Sequence, residues 1–599
     1  MKKVKIIVLM VLLAQLCFGI DHLIIAPNEF INVANVYANF YNAEFGIERA
    51  VVDQQDIFDQ FSGGEPEPEA IKEYIQAFFP DENNWLNNSV LLMGSGTDDW
   101  SLNIEKNKII TDNGMDDNFV TFDNETYPSI PIGRIPAQNI EQLDLILNRI
   151  ANDATNSNLG LWRNKVLLVA DDEMKDGGIE GIDGGSTNTM NHTSFAEQTA
   201  GVFTPGTLIE KVYGIEYDMD DNGNKPEAKQ ALIDAVNEGV RFWHYIGHGS
   251  EGVPGDESIL GDENYFRAPE DIELLFNIDN RPLFTSASCN TGHFDNSDWD
   301  SLTEQLLYHE DGGIIAAVAA SRACYGTANN MLLINFYSNI FNERMNLGDA
   351  LLNAKINSGA SIYNSKKFLL FGDPLMYILP SETDNSVMIE DEPDIFFTNS
   401  EVAFTVDEST DIGNGYADVL VMESEYELTY SNTIGTQTYT VDYTISGLPY
   451  AEDYVDVYTG QFAYDFTIPA DINIGDSGKI VCYMEDGDND FVSYYYPMEL
   501  AIPSGGGEGD VPGTETRLLG NHPNPFNPST EISFQMSDVG EFAKIEIYNT
   551  KGQRVEQISV VRGRASVVWD AEKFASGVYF YKLVADGKEV DTKKMLLLK

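Results

Sequence analysis

Two residue types suited to nucleophilic catalysis stand at the ends of apolar segments. His248 follows Phe242, Trp243, Tyr245 and Ile246 and sits between Gly247 and Gly249, and Cys289 closes the segment RPLFTSASC. A free thiol is only a few per cent ionised at neutral pH, and an adjacent imidazole raises that fraction or acts as general base and acid. Backbone N–H groups near Gly249 and Cys289 could bind a developing oxyanion, and a glycine at 249 permits close substrate approach. The competing reading is structural, since a lone cysteine is commonly a small buried hydrophobe and a lone histidine a packing residue. Three further histidines compete for the catalytic role: His192, His244 and His293. His244 alternates with aromatic residues inside its segment and reads as packing. His293 follows Cys289 closely and is expected on the next helical turn.

These residues need a scaffold that brings the ends of separate segments together. Short apolar runs recur at HLIIAP (22–27), SVLLMG (89–94), SIPIGRI (129–135), NKVLLVA (164–170), GVRFWHYI (239–246), RPLFTSA (281–287), GGIIAAVAA (312–320) and KKFLLFG (366–372). Their near-continuous apolar character predicts strands covered on both faces, and segments such as IEQLDLILNRIAND between them carry helical periodicity. The pattern predicts a multidomain chain with an α/β, largely parallel sheet in two consecutive units, 20–155 and 156–384. In such sheets sites form at the carboxyl ends of strands, which places His248 and Cys289 on one edge. Between 385 and 503 apolar and polar residues alternate without helices, which predicts an antiparallel, immunoglobulin-like β-sandwich. PSGGGEGDVPG marks a flexible linker, placed at 504–514, before a small all-β unit at 515–599 with a hairpin around Asn549–Gly552.

The 599 residues include 36 basic and 96 acidic ones, a formal charge of -60, which excludes nucleic acid and anionic membranes as partners. The 43% apolar content excludes a disordered chain. The acidity is that of a solvated shell or of calcium-binding carboxylates outside the cell. Within DMDDNGN, Asp218, Asp220 and Asn222 followed by Gly223 match the first half of a calcium loop, although Lys229 stands where the bidentate Glu belongs. An Asx turn is the alternative, and EDGDND (485–490) is a weaker version of the same pattern. MKKVK followed by IIVLMVLLAQLCF reads as a secretory signal over 1–19, and Leu16 does not suit a lipoprotein site at Cys17. No other run is long enough to cross a bilayer, so no transmembrane anchor is expected in the mature chain. Cys289, Cys324 and Cys482 then remain, and three thiols in an exported chain do not form a disulfide framework.

The stretches YIGHGS, SASCNTGHF, GGIIAAVAAS and LLFGDPLM, preceded in order by LIIAP, VLLMG, IGRIPA and KVLLVADDE, resemble the gingipain family of secreted cysteine peptidases over about 22–380. The resemblance implies a caspase-like core, protein or peptide substrates and no cofactor for the chemistry, with any Ca²⁺ structural. It implies Cys289 as nucleophile, His248 as proton-transferring base and acid, and the amides of Gly249 and Cys289 as oxyanion hole. It also implies a carboxylate after KVLLVA that orients the histidine, matched best by Glu173 with Asp172 as rival. The structural reading of Asp171, Asp172 and Glu173 is a solvated loop or a calcium ligand. Two features depart from well-known members. The first core strand begins near residue 22, so latency through a prosegment is not expected. STNTMN, before the helix HTSFAEQTA, lacks the carboxylate that accompanies cleavage after Arg or Lys, so basic P1 specificity is not expected. SRACYGTANN is expected to shape the substrate pocket. A non-catalytic adhesin on the same scaffold and a sortase-like transpeptidase are the alternatives to hydrolysis.

NPFNP (524–528), GVY (577–579) and the closing KKMLLLK resemble the C-terminal sorting domain of type IX secretion substrates. That resemblance implies export through the periplasm to the outer surface or the medium, with the type IX machinery as partner. It fits a break in charge: residues 515–599 carry 12 basic and 11 acidic residues, against 24 and 85 in the rest.

Overall fold

The computed structural model describes residues 20–597, apart from 82–86, 98–107, 123–124, 156–157, 173, 176–177, 180–190, 218–219, 221–223, 250–270, 297, 408–411, 435–436, 504–516 and short stretches after 522. The signal segment 1–19, Glu173, Asp218 and Asn222 lie outside the described residues. The chain divides into two compact units, Met1–Ala501 and Ile502–Lys599.

The first unit is built on one ten-stranded sheet. Its strands are β1 (His22–Ala26), β2 (Arg49–Asp53), β3 (Ser89–Met93), β4 (Ile132–Ile135), β5 (Lys165–Ala170), β6 (Leu208–Tyr213), β7 (Phe242–Ile246), β8 (Leu283–Ala287), β9 (Ala316–Ala320) and β10 (Phe368–Phe371). They lie in the order β6-β5-β7-β8-β9-β10-β4-β3-β1-β2. Strands β1–β4 are parallel to one another, as are β5–β9, and β10 is antiparallel to β9. The two expected units are therefore halves of a single sheet, joined where Phe371 of β10 pairs with Arg134 of β4.

Burial explains which strands the apolar pattern revealed. Every residue of β3, β4, β7, β8, β9 and β10 is buried. Such strands are covered on both faces and require continuous apolar sequence. In β7, Phe242 and His244 face the helix Gly326–Phe341 through Tyr337 and Phe341, while Trp243 packs on Phe284 of β8. The sequence reading missed β2 and β6. Both are edge strands, and most of their residues are only half-buried.

An antiparallel sandwich closes the first unit. One sheet contains Gly415–Met422, Pro449–Val457, Gly475–Glu485 and Asp490–Ala501; the other contains Val387–Ile389, Glu401–Asp407 and Gln461–Thr467. Phe404, Val419, Ile480, Cys482 and Met498 lie in the core between them. The sandwich docks on edge strand β6. Lys479 Nζ donates to the carbonyls of Pro205 (3.2 Å) and Thr207 (3.1 Å), and Ser446 Oγ donates to that of Ile209 at 2.8 Å. Leu208 packs against Val481, Tyr483 and Val492. An exposed edge that would otherwise invite pairing with another chain is thereby covered.

The second unit is all-β. Arg517–His522, Ser529–Gln535 and Ser566–Asp570 form one sheet, and Arg554–Val560, Ala543–Asn549, Gly577–Ala585 and Lys588–Leu597 form the other. Phe526 of the NPFNP motif is buried against Trp569, with ring centroids 5.5 Å apart.

Candidate active site

The site follows from strand register. In β5, β7 and β8, Ala170 pairs with Ile246, and Ile246 pairs with Ala287. Asp171 is thus the first residue beyond its strand, and its N–H donates to Ile246 O at 3.0 Å. His248 and Cys289 are each the second residue beyond theirs. Three neighbouring parallel strands deliver a carboxylate, an imidazole and a thiol to one edge.

The two glycines around His248 have a steric reason. A Cβ at Gly247 would meet Asp171 Cβ at 2.3 Å and Tyr245 Oη at 2.4 Å. A Cβ at Gly249 would meet Ser288 Oγ at 2.0 Å. The turn that carries His248 is pressed between the ends of β5 and β8, and only glycine permits that approach. Tyr245 Oη donates to His248 O at 2.7 Å, and His248 N donates to Asp171 Oδ2 at 3.1 Å. On the other side Asn290, directly after the thiol, has φ of 58°. A non-glycine residue in the left-handed region is a mark of constraint, and asparagine tolerates it best.

Cys289 is half-buried, and Cys324 N donates to its Sγ at 3.3 Å. The same sulfur donates to Cys324 O at 3.5 Å, so the main chain of one residue both donates to and accepts from the thiol. The Cys324 loop is tied down by Arg322, whose two Nη atoms donate to Asp295 at 2.8 and 2.6 Å. Burial alone would raise the Asp295 carboxyl, but the Arg322 fork and His293 hold it below the usual range.

The competing residues sort by their surroundings. His244 is fully buried, bonds Thr285 Oγ1 through Nδ1 at 2.8 Å, and is pushed by desolvation down to about 3, as befits a packing residue. His293 is not on a helix; it occupies a turn, with Nε2 3.3 Å from Asp295 Oδ1. His192, on helix Asn191–Ala200, places its ring edge-on to His248 with centroids 5.0 Å apart. Ligand atoms of Asp171, His192 and His248 lie within 4.8 Å of one another, a donor set that could hold a metal ion.

After β5, Asp171 and Asp172 are buried, 1% and 4% exposed, which does not fit the alternative reading of a solvated loop at these two positions. Asp172, the expected rival for orienting the histidine, is paired with buried Lys225. Among the described residues the carboxylate set against the His248 turn is Asp171, which the sequence reading treated as structural; Glu173, the expected one, lies outside the described residues. Of the candidate calcium loop Asp218, Asp220 and Asn222, the described residue is Asp220, whose Oδ1 accepts Asn224 N–H at 2.9 Å. In EDGDND, Asp486 accepts N–H groups of Gly413, Asp488 and Asn489 at 2.6, 3.0 and 2.8 Å, so main-chain donors fill its carboxylate.

A thiol and an imidazole at adjacent carboxyl ends of a parallel sheet form an arrangement that acyl transfer through sulfur can use. The family model of peptidase family C25 matches residues 18–379, about three-fifths of the chain, and the chain belongs to that family of cysteine peptidases. Residues 522–598 match the secretion system C-terminal sorting domain, which marks the chain for export to the outer surface or the medium. Among curated proteins no relative matches. Among solved structures, the complex of the pro- and mature domains of RgpB from Porphyromonas gingivalis is 16% identical, covers 80% of this chain and 100% of that one, and has a TM-score of 0.47. The Arg-specific cysteine proteinase gingipain R is 16% identical, with coverages of 80% and 98% and a TM-score of 0.48. Dimeric latent PorU from Porphyromonas gingivalis is 14% identical, with coverages of 96% and 64% and a TM-score of 0.33. No residue's role follows from these likenesses. Among the described residues no helix is long and apolar enough to cross a membrane.

Proposed function

We propose that the chain is an exported endopeptidase that cleaves protein substrates through a thioester on Cys289. The observation that carries this reading is the register Ile246 with Ala287, which puts His248 and Cys289 the same two residues beyond neighbouring strands. His248 takes the thiol proton, and the thiolate attacks the scissile carbonyl. The oxyanion is held by the N–H groups of Gly249 and Cys289. His248 then protonates the leaving amine, and water activated by the same imidazole hydrolyses the thioester.

Asp171 acts as a positioning residue. Its carboxylate accepts the His248 main-chain N–H and favours imidazolium as it forms. Glu173, implied by resemblance, is the other carboxylate for this task, and the two are separable by substitution. Calcium at the Asp218 loop is a structural ion in this reading, and no step runs through it. The sorting domain delivers the enzyme to the type IX machinery.

The test is digestion of a denatured protein mixture by the purified chain, with product masses and new N-termini read out and an added amine as competing acceptor. The proposal expects new N-termini that disappear in Cys289→Ala, with hydrolysed products dominating. Products carrying the amine in place of water would establish the transpeptidase. No cleavage by a folded, reduced chain would contradict the peptidase reading and favour the adhesin.

A further inference from the structure

Cys289 is not the lone thiol of its edge. Cys324 lies on the loop after β9, the strand next to β8, and the Arg322–Asp295 clamp draws that loop against the residues that follow Cys289. Cys289 Sγ is 3.3 Å from Cys324 N and 3.5 Å from Cys324 O. With N–Cα at about 1.46 Å, the Cys324 Cα lies within about 4.8 Å of that sulfur, and the two side chains are close enough to hydrogen-bond each other, the approach that a bridge requires. Neither thiol is in a disulfide.

We infer that Cys289 and Cys324 form a site of reversible oxidative modification, at which a hydroperoxide converts the two thiols into a disulfide and a thiol reductant restores them. The effect on peptidase activity rests on the reading of Cys289 as nucleophile; formation of the bond does not.

The environments of the two sulfurs fix the order of events. Cys289 is half-buried and meets the oxidant first, while Cys324 is 8% exposed. A hydrogen bond with Cys289, together with burial, holds the Cys324 thiol well above its ordinary range, so it waits protonated. Asn329 Nδ2 donates to Cys324 Sγ at 3.0 Å and supports negative charge on that sulfur as it attacks.

In the first step the Cys289 thiolate attacks one peroxide oxygen. An S–O bond forms, the O–O bond breaks, and the other oxygen leaves with a proton as alcohol, or as water from hydrogen peroxide. Sulfur gives up two electrons and the peroxide takes them. In the second step Cys324 Sγ attacks the sulfenyl sulfur, the S–S bond forms, the S–O bond breaks, and hydroxide leaves as water with the Cys324 proton. Cys482 stands apart, fully buried in the sandwich core.

The test is peptide mapping of the full chain without reduction, after a few equivalents of hydrogen peroxide and alkylation of the remaining thiols. The expected product is a cross-linked peptide pair containing Cys289 and Cys324, which releases both peptides on reduction. Where the chain hydrolyses peptide substrate, the rate should fall about tenfold or more and return to within about twofold on reduction. In Cys324→Ser the cross-link should be lost and Cys289 should go on to sulfinic and sulfonic acid, with each variant's recovery compared with its own untreated rate. Cys289 over-oxidised in the unaltered chain while Cys324 stays alkylatable would overturn the inference, as would a bridge to Cys482. If Cys324→Ser fails to fold, the map of the unaltered chain decides alone. A cross-link in a chain that shows no hydrolysis would uphold the inference and count only against the peptidase reading.

Discussion

The loop after β3 and the loops after β5, β7 and β8 are built from the same kind of strand end but are finished differently. Around β3 and β4, Arg134 is fully buried and forks onto Asp116 at 2.7 and 2.6 Å, with Nη1 also donating to Gly94 O at 2.7 Å. Lys355 meets both oxygens of Asp117 at 2.7 Å. Ser95 Oγ donates to Phe294 O, and Ser321 Oγ donates to Gly114 O. Opposite charges and main-chain acceptors are paired and sealed away. On the other side His248 and Cys289 remain half-exposed, with Asp171 buried behind them. A reactive pair cannot be neutralised by a resident partner and still act on a substrate. The first region is organised for stability and the second for chemistry.

The widest separation between the two regions comes from removing the reactive groups. Cys289→Ala or His248→Ala should lower kcat by about 10⁴–10⁶-fold. The midpoint of thermal unfolding, followed by circular dichroism, should stay within a few degrees, because neither side chain is sealed in the core. The reverse experiment is Arg134→Met. It leaves Asp116 buried without its partner and should cost about 3–5 kcal/mol in denaturant unfolding. Activity per folded molecule should be retained under conditions where the variant is folded.

A finer cut lies within the catalytic side. Asp171→Asn keeps an acceptor for the His248 main-chain N–H but removes the charge. It should lower kcat by about 10–100-fold with KM little changed and shift the acid limb of the pH–rate profile. If Glu173→Gln has this effect and Asp171→Asn does not, the orienting carboxylate is the one implied by resemblance.

The smallest expected effect concerns Glu304, buried in the capping box of helix Leu302–Tyr308. Burial, then the charge of Asp300, raises its carboxyl to about 8. A raised carboxyl binds its proton more tightly in the folded state. Its contribution to stability is therefore full below the unfolded value near 4.5 and is lost as pH rises through about 8. Denaturant midpoints from pH 5 to 8 should fall more steeply in the native chain than in Glu304→Gln, by up to about 1 kcal/mol per pH unit.

Much of this was legible in the residues, for physical reasons. Strands sealed on both faces must be apolar throughout, so β7, β8 and β9 announce themselves. Edge strands need not be: RAVVD and LIEKVY keep polar residues because solvent or the sandwich meets one side. Gly-His-Gly and the Ser-Cys pair were legible because close backbone approach admits few residue types. Asp171 was not: three successive carboxylates follow β5, and the register with Ile246 is what sets Asp171 beside the His248 turn, while Glu173 lies outside the described residues. Cys324 was read only within a loop expected to shape the pocket and not as a neighbour of Cys289, because that contact depends on the Arg322–Asp295 clamp. The union of the two α/β units in one sheet was hidden too, since it rests on where β10 inserts.

The account's central claim is that Cys289 is a thiol activated by His248. It is tested most directly by labelling the purified, reduced chain with acyloxymethyl-ketone peptides varied at P1, followed by mapping of the modified residue. The account predicts a label confined to Cys289, abolished in Cys289→Ala and slowed at least a hundredfold in His248→Ala. Labelling of Cys289 at an unchanged rate in His248→Ala, or no labelling of a folded chain by any probe, would contradict it.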